Sequence, residues 1–200
     1  SQHQAPRPAP RLRVQGLAGP GLAAALDFEV APGEVLGITG LVGSGYEVVA
    51  RWLAGLEAPA AGRLLLDGRP LPWGHPRPLR RAGFQAISGD RAASAFATRA
   101  VRENIFAEAL HGRAGSLRAE RARTADLLRR FHVWPGDAAE APIAALSGGN
   151  QQKVLLARAL EASPRALLML DPTAGVDIGA RGELYALLAR ETATGLAVVL

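Results

Sequence analysis

The sequence predicts an α/β fold with a largely parallel sheet covered by helices on both faces. Apolar runs of strand length alternate with amphipathic helical stretches along most of the 200 residues, the pattern of parallel strands joined by crossover helices. One strand, VLGIT at 35–39, runs straight into a glycine-rich loop and then into helical VVARWLAG. That order is what a phosphate-binding loop requires. A helical stretch from 101 to 133 interrupts the alternation and reads as an insertion into the sheet domain.

Each element has its own signal. Residues 11–14 and 25–30 read as short strands, the second with Leu26, Phe28 and Val30 alternating. Pro32-Gly33 marks a turn ahead of the strand at 35–39. Residues 62–67 and 84–88 read as further strands. In the helical stretch Ile105, Ala109 and Leu110 share one face, and Leu117, Leu127, Leu128 and Phe131 recur at helical spacing. Glu120, Arg121 and Arg123 mark its wet side. Pro135-Gly136 closes the region. A helix over 148–160 with Ser147 as its N-cap, a buried strand at 167–170, an amphipathic helix at 180–190 and a last strand at 197–200 complete the order.

Composition narrows the classes of function. Hydrophobic residues make up 48% of the chain and aromatics only 5%, so a core must rest on Leu, Ala and Val. There is no cysteine, which excludes disulfides and thiolate zinc sites. No run approaches the 18 or more apolar residues of a membrane span, so membrane attachment is expected to come through a partner. The start, SQHQAPRPAP at 1–10, is no signal peptide and reads as a Pro-rich linker. The final AVVL has the character of a buried strand, and the chain is expected to be a piece of a longer protein. The formal net charge is +5. All but one of the 23 basic residues are arginine, Lys153 being the exception. Such a balance fits nucleic acid, anionic lipid or phosphate ligands, and equally an Arg-biased solvated surface; no nucleic-acid motif accompanies it.

Three segments carry chemistry. In GLVGSGYE at 40–47, Gly40 and Gly45 hold the glycine positions of the phosphate-loop pattern G-x-x-x-x-G-K-[ST], with Gly43 and Ser44 between them. Glycines let backbone N–H groups turn toward phosphates, and the following helix adds partial positive charge. Tyr46 stands in the lysine position and Glu47 in that of the magnesium-binding hydroxyl. A carboxylate about 4 Å from a phosphate costs roughly 4 kcal/mol at an effective dielectric of about 20, a sign that a bridging magnesium ion would reverse. Arg51 lies too far along the helix to substitute.

The second segment, LSGGNQQK at 146–153, opens a helix. Ser147, Gly148, Gly149, Asn150 and Gln151 place a hydroxyl and backbone N–H groups where an anion can meet them. The third, LMLDPTAGVD at 168–177, ends a buried strand on Asp171 and reaches Asp177.

LSGGNQQK resembles the signature of ATP-binding-cassette (ABC) transporters, in the form typical of ribose-, xylose- and galactose-type importers. GEVLGITGLVGSG resembles the family's phosphate-loop strand and loop. ISGDR, ending at Arg91, resembles the segment after the Q-loop strand, with Gly89 where the family often has glutamate. VRENI at 101–105 resembles the start of the helical subdomain, and DPTAGVD at 171–177 the end of Walker B and the D-loop. The resemblance implies a P-loop NTPase (RecA-like) core with a mostly parallel sheet, N-terminal antiparallel strands and an inserted helical subdomain. It implies a domain over 11–200, with core at about 11–90 and 164–200 and signature subdomain at about 91–163.

The resemblance also implies ATP and magnesium as cofactors. The partners would be a second nucleotide-binding domain, transmembrane permease subunits and a solute-binding protein, at the cytoplasmic face of the membrane and with no nucleic acid. Two such domains face head to tail, each ATP lying between one phosphate loop and the other signature. AGPGL at 18–22 and the linker point to the second of two domains in tandem. Alignment on Pro172-Thr173 puts Asp171 at the catalytic glutamate position and Leu170 at the magnesium-organising aspartate position. The aromatic residue that stacks adenine is missing, Phe28 reading as core, and the switch histidine would lie past Leu200. The four histidines read as surface or loop residues. The expected picture is a domain with an impaired phosphate site of its own and an intact signature. Its alternatives are an independently active ATPase half and a non-transport protein of the family acting on nucleic acid.

Overall fold

The computed structural model describes residues 8–107 and 116–200. Ala109, Leu110 and most of the proposed linker lie outside them. The chain forms two compact units. One comprises the chain up to Ala86 with Pro164–Leu170 and Ala189–Leu200; the other comprises Ile87–Ser163 and Asp171–Leu188.

The first unit is built on two sheets. β1 (Leu12–Ala18), β2 (Leu26–Val30), β4 (Ala61–Leu66) and β5 (Arg69–Leu71) form an antiparallel sheet in the order β2-β1-β4-β5. Leu12 faces Val30 on one side and Leu66 on the other. β3 (Val35–Leu36), β8 (Ala197–Val199), β7 (Ala166–Leu170) and β6 (Phe84–Ser88) form the second sheet, in the order β3-β8-β7-β6. β8 runs parallel to both β3 and β7. The predicted mixed fold is the one observed. β5 was not anticipated. Asp67 and Gly68, both at positive φ, make the tight turn that Asp-Gly pairs favour and return the chain as a hairpin. β3 is shorter than the apolar run at 35–39 because its partner β8 is short. Its backbone pairing nevertheless continues, Ile38 N donating to Leu200 O at 2.7 Å.

α1 (Tyr46–Leu53) packs into this unit through Val49, Trp52 and Leu53, all buried with Leu12, Val14 and Val30 of the antiparallel sheet and Leu168 and Val199 of the parallel one. Phe28 is half-buried and packs against the same cluster, as a core residue should. α2 (Pro76–Ala82) contributes Leu79.

The second unit is helical: α3 (Arg91–Ser94), α4 (Val101–Phe106), α5 (Leu117–Arg130), α6 (Gly148–Glu161) and most of α7 (Ile178–Ala193), with single 3-10 turns at Ala138–Glu140 and Ile143–Ala145. Val101, Ile105, Leu127, Leu128, Phe131 and Ile143 are all buried. Leu117 departs from its expected place. It stands at the first position of α5 and is 48% exposed. Thr124 is buried on this helix instead, its hydroxyl donating to Glu120 O at 2.8 Å. Asn104 of VRENI is buried, and its amide donates to the carbonyls of Phe96, Arg99 and Ala100. The side chain thus satisfies three backbone acceptors of the turn entering α4, a structural role.

The charges noted on the wet face form a network. Arg102 bonds Glu120 at 2.7 Å and Glu140 at 3.1 Å, and Arg121 bonds Glu140 at 2.8 Å. The Arg121 guanidinium first, and that of Arg102 next, hold the Glu140 carboxyl below its ordinary range. A folded-state value lower than the unfolded one gives stability that is present above the ordinary glutamate range and lost as pH falls through the depressed value. Glu140→Gln should therefore lower the melting temperature at neutral pH, with the gap to wild type closing as pH drops below 4 or so. A gap independent of pH in thermal melts would show that the carboxylate charge has no part in it.

Candidate functional site

The loop at 40–45 is a glycine turn closed by Ser44 N donating to Leu41 O at 2.9 Å. Gly43 and Gly45 have φ of 84° and 97°, where a side chain costs about 1–2 kcal/mol. A Cβ on Gly45 would sit 2.2 Å from the Gly21 carbonyl oxygen, and one on Gly40 2.2 Å from Ser44 Oγ. Packing within this unit thus demands glycine at 45, against the backbone of the AGPGL segment, whereas at 40 the neighbour is the Ser44 hydroxyl, which can rotate away. Gly45 is the N-cap of α1 and offers no side-chain bond, so the first N–H groups of the helix have no capping side chain. Leu41 and Val42 are 85% and 92% exposed.

The side chains at the head of α1 do not complete a cationic site. Tyr46 and Glu47 are half-buried. Glu47 sits in the first turn, where a carboxylate is favoured by the helix dipole by about 0.3–1 kcal/mol. It therefore uses the positive helix end that a phosphate would need. Arg51 is turned to Glu57, Nε to Oε1 at 2.9 Å. Lys153 belongs to the other unit. It is 5% exposed, and its ammonium donates to His132 O at 2.9 Å and forms a close ion pair with Glu183.

The signature lies at the start of α6. Ser147 is the N-cap, its Oγ accepting from Asn150 N at 3.4 Å and from Asn150 Nδ2 at 3.0 Å. Those two bonds occupy the oxygen's lone pairs and leave its O–H to donate. Asn150 Oδ1 accepts from Trp134 N at 3.0 Å, and Gln151 Nε2 donates to Leu146 O at 2.8 Å. Two of the five signature residues therefore brace the loop with their amides. Ser147, Gly149, Asn150, His132, Trp134 and Asp177 all line one cavity of about 390 Å³. Of the histidines, His75 and His132 are exposed; His132 reaches this cavity, and the other two lie outside the described residues.

The turn after β7 holds the third segment. Asp171 is exposed and adopts φ of 43°, a conformation that aspartate tolerates better than most residues. Its carbonyl accepts from Ala174 N at 2.9 Å. A Cβ on Gly89 would lie 1.9 Å from that same oxygen. Any side chain at 89 is excluded, which explains glycine in place of glutamate in ISGDR. Asp177 caps α7, Oδ1 accepting from Ala180 N at 2.9 Å. Within the helical unit, the signature and Asp177 share a cavity, as their assignment to one site requires. Leu170 is half-buried at the end of β7.

These residues fit a nucleotide unevenly. The glycine turn and the uncapped start of α1 suit phosphate oxygens, but Tyr46 and Glu47 bring no cation. Magnesium is usually held by one or two carboxylates together with phosphate oxygens. Glu47 and Asp171 are the carboxylates these segments provide, and Leu170 provides none. Among the described residues, no group of three or more His, Asp or Glu could hold a metal. The signature end, with an exposed hydroxyl donor on a helix N-terminus, fits a phosphate without such conflict.

Fold and motifs together define an ABC ATPase, and residues 23–174 match the family model described as ABC transporter. The chain belongs to this family. It is 40% identical over 204 aligned residues to the arabinose import ATP-binding protein AraG of Pseudomonas syringae pv. syringae, a match covering 99% of this chain and 39% of that protein. A Pseudomonas fluorescens protein named for ribose, galactose or methyl galactoside import is 39% identical, over 94% of this chain and 38% of its own length. The chain thus spans well under half the length of these relatives. Among solved structures, cbiO1 from Clostridium perfringens superposes with a TM-score of 0.78 at 22% identity, covering 95% of this chain and 77% of that one. A nucleotide-free ATP-binding cassette superposes at 0.80 and 20% identity, covering 96% and 80%. At those identities the likeness is one of fold.

One contributor was not recognised as a site residue. Arg91 lies against both the signature and the turn after β7, yet 83 positions separate it from Ala174, the residue it bonds, and no local spacing predicts that. The Gly45 geometry is directly testable. Gly45→Ala should destabilise the sheet unit by about 2 kcal/mol or more, from positive φ and contact with the Gly21 carbonyl, whereas Gly43→Ala, which meets nothing within 4 Å, should cost only the φ term. Chemical denaturation of both variants checks this, and equal losses would discount the Gly21 contact.

Proposed function

We propose that this chain is a nucleotide-binding domain of a sugar importer whose intact signature completes the ATP site of a partner domain, while its own phosphate site binds nucleotide weakly or without turnover. The observation that carries the proposal is the disposition of charge. The only lysine in the sequence is buried in α6 and paired with Glu183. The head of α1 meanwhile carries Glu47, and Ser147 keeps a hydroxyl free to donate.

In this reading Ser147 Oγ–H and the first N–H groups of α6 hold the terminal phosphate of nucleotide bound by the partner, through charge-assisted hydrogen bonds. Gly149 lets α6 lie close to α7, since a Cβ there would stand 2.8 Å from that of Ala180. Asp177 shapes the edge of the same cavity and faces the partner. Magnesium bound with the nucleotide supplies charge neutralisation, which the side chains at 46, 47 and 170 do not provide here. Asp171, which the family alignment puts at the catalytic glutamate position, would be the base should the own site turn over. The relatives named for arabinose and for ribose or galactose import support a monosaccharide as the transported solute.

The partners are a second nucleotide-binding domain, expected on the same full-length chain, transmembrane permease subunits and a solute-binding protein. The complex would place this domain peripherally at the cytoplasmic face of the membrane. No helix among the described residues is long and apolar enough to cross it.

Purified alone, the domain should show negligible ATP turnover, and hydrolysis abolished by Asp171→Ala would instead establish an independent ATPase half. In the assembled transporter, Ser147→Ala should cut turnover by on the order of a hundredfold, and Gly149→Ala at least as much. Wild-type turnover in the Ser147 variant would remove the signature from the mechanism. Salt-sensitive binding to DNA or RNA would favour a non-transport member of the family.

A further inference from the structure

Arg91 lies at the first position of α3, whose start is capped by Asp90 Oδ1 accepting from Ala93 N at 3.2 Å. Its Nη1 donates to the carbonyl of Ala174, in the turn between Asp171 and Asp177, at 2.8 Å. The rest of the guanidinium lies close to two glycines. A Cβ on Gly148 would stand 3.2 Å from Nη2 and 3.3 Å from Cζ; one on Gly175 would stand 3.0 Å from Nη2. A side chain at 148 would therefore press on the Arg91 guanidinium, and one at 149 more closely still on Ala180 of α7. No acidic side chain pairs with Arg91 among the described residues. The far end of α3 is held too, Arg158 of α6 donating to Ser94 O at 2.8 Å.

From this geometry we infer that Arg91 is a positioning residue for the signature: its guanidinium sets the spacing between the turn at 171–177 and the first turn of α6. The inference rests on the signature role proposed above. Three separate stretches of chain meet on one planar group. A fork with several N–H donors in fixed geometry can bond a carbonyl through one nitrogen while the other spans to a second segment, which a compact ammonium cannot do. Removing the fork frees the turn to shift against Ser147 and Gly149, and displacements of about 1 Å at such positions cost up to about a hundredfold in rate. The nucleotide itself is gripped first by the partner's phosphate loop, so the loss should fall on kcat and not on KM.

The experiment uses the assembled transporter with both nucleotide-binding domains. Arg91→Ala should lower kcat about tenfold or more with KM for ATP within about twofold, and with an unchanged melting temperature for the assembly. Arg91→Lys should recover less than half of the lost rate, because it keeps the charge and loses the plane. Gly148→Ala alone should be impaired, but Arg91→Ala with Gly148→Ala should lose less than the product of the two single losses, since part of the cost of the added methyl is its contact with the guanidinium. Losses that multiply in the double variant, full rescue by lysine, or wild-type turnover in Arg91→Ala would each overturn the inference. If the alanine variant fails to assemble, Arg91→Gln, which keeps a planar amide donor for the Ala174 carbonyl, carries the same kcat and KM comparison. Ser147→Ala serves as the control. Normal turnover in that variant defeats the signature reading itself, whereas its loss alongside an unaffected Arg91→Ala defeats only the positioning role.

Discussion

The ion pair between Lys153 and Glu183 is the junction on which the helical unit depends. It joins the signature helix α6 to α7, the helix that Asp177 caps, and the lysine is almost wholly withdrawn from water. A buried ammonium that loses its partner is destabilising, and the carboxylate of Glu183, itself 59% exposed, meets the lysine from the α7 side. The same α6–α7 contact includes the short distance between Gly149 and Ala180, and Lys153 and Glu183 line the cavity shared by Ser147 and Asp177.

The two anion-facing helix starts are built on opposite principles. At α1 the cap is a glycine and the first turn carries a carboxylate, so the helix dipole is already answered from within the chain. At α6 the cap is a serine whose oxygen is engaged by Asn150 and whose proton is left to donate outward. The start of α1 has no capping side chain but carries its own carboxylate, whereas the start of α6 is capped by Ser147 and carries no acidic residue in its first turn. The two helix starts therefore differ in what they offer an anion: bare backbone beside a carboxylate at α1, and a hydroxyl with no competing carboxylate at α6.

Glycines record the closest approaches in this protein, and they do so for reasons that differ from motif to motif. Gly45 accommodates the Gly21 carbonyl, Gly89 the Asp171 carbonyl, Gly148 the Arg91 guanidinium and Gly149 the Ala180 methyl. Only the first belongs to the loop usually read as a phosphate cradle. Glycine there is compatible with phosphate binding, but packing inside the unit already requires it. Glycine at position 45 therefore does not by itself report a bound phosphate.

The alternation of apolar runs determined the mixed fold, because period-2 and period-3.6 patterns bury different faces and are local properties of the chain. Motif spacing likewise determined the glycine loop, the capped start of α6 and the absence of a lysine at position 46. What spacing could not reach was contact between distant segments. β5 depended on a two-residue turn, the exposure of Leu117 on its place at a helix end, and the partner of Lys153 on how α6 and α7 pack. Arg91 reaches its carbonyl across 83 positions. Such contacts are decided by tertiary packing, where a charge or a plane finds its partner only after the intervening chain has folded.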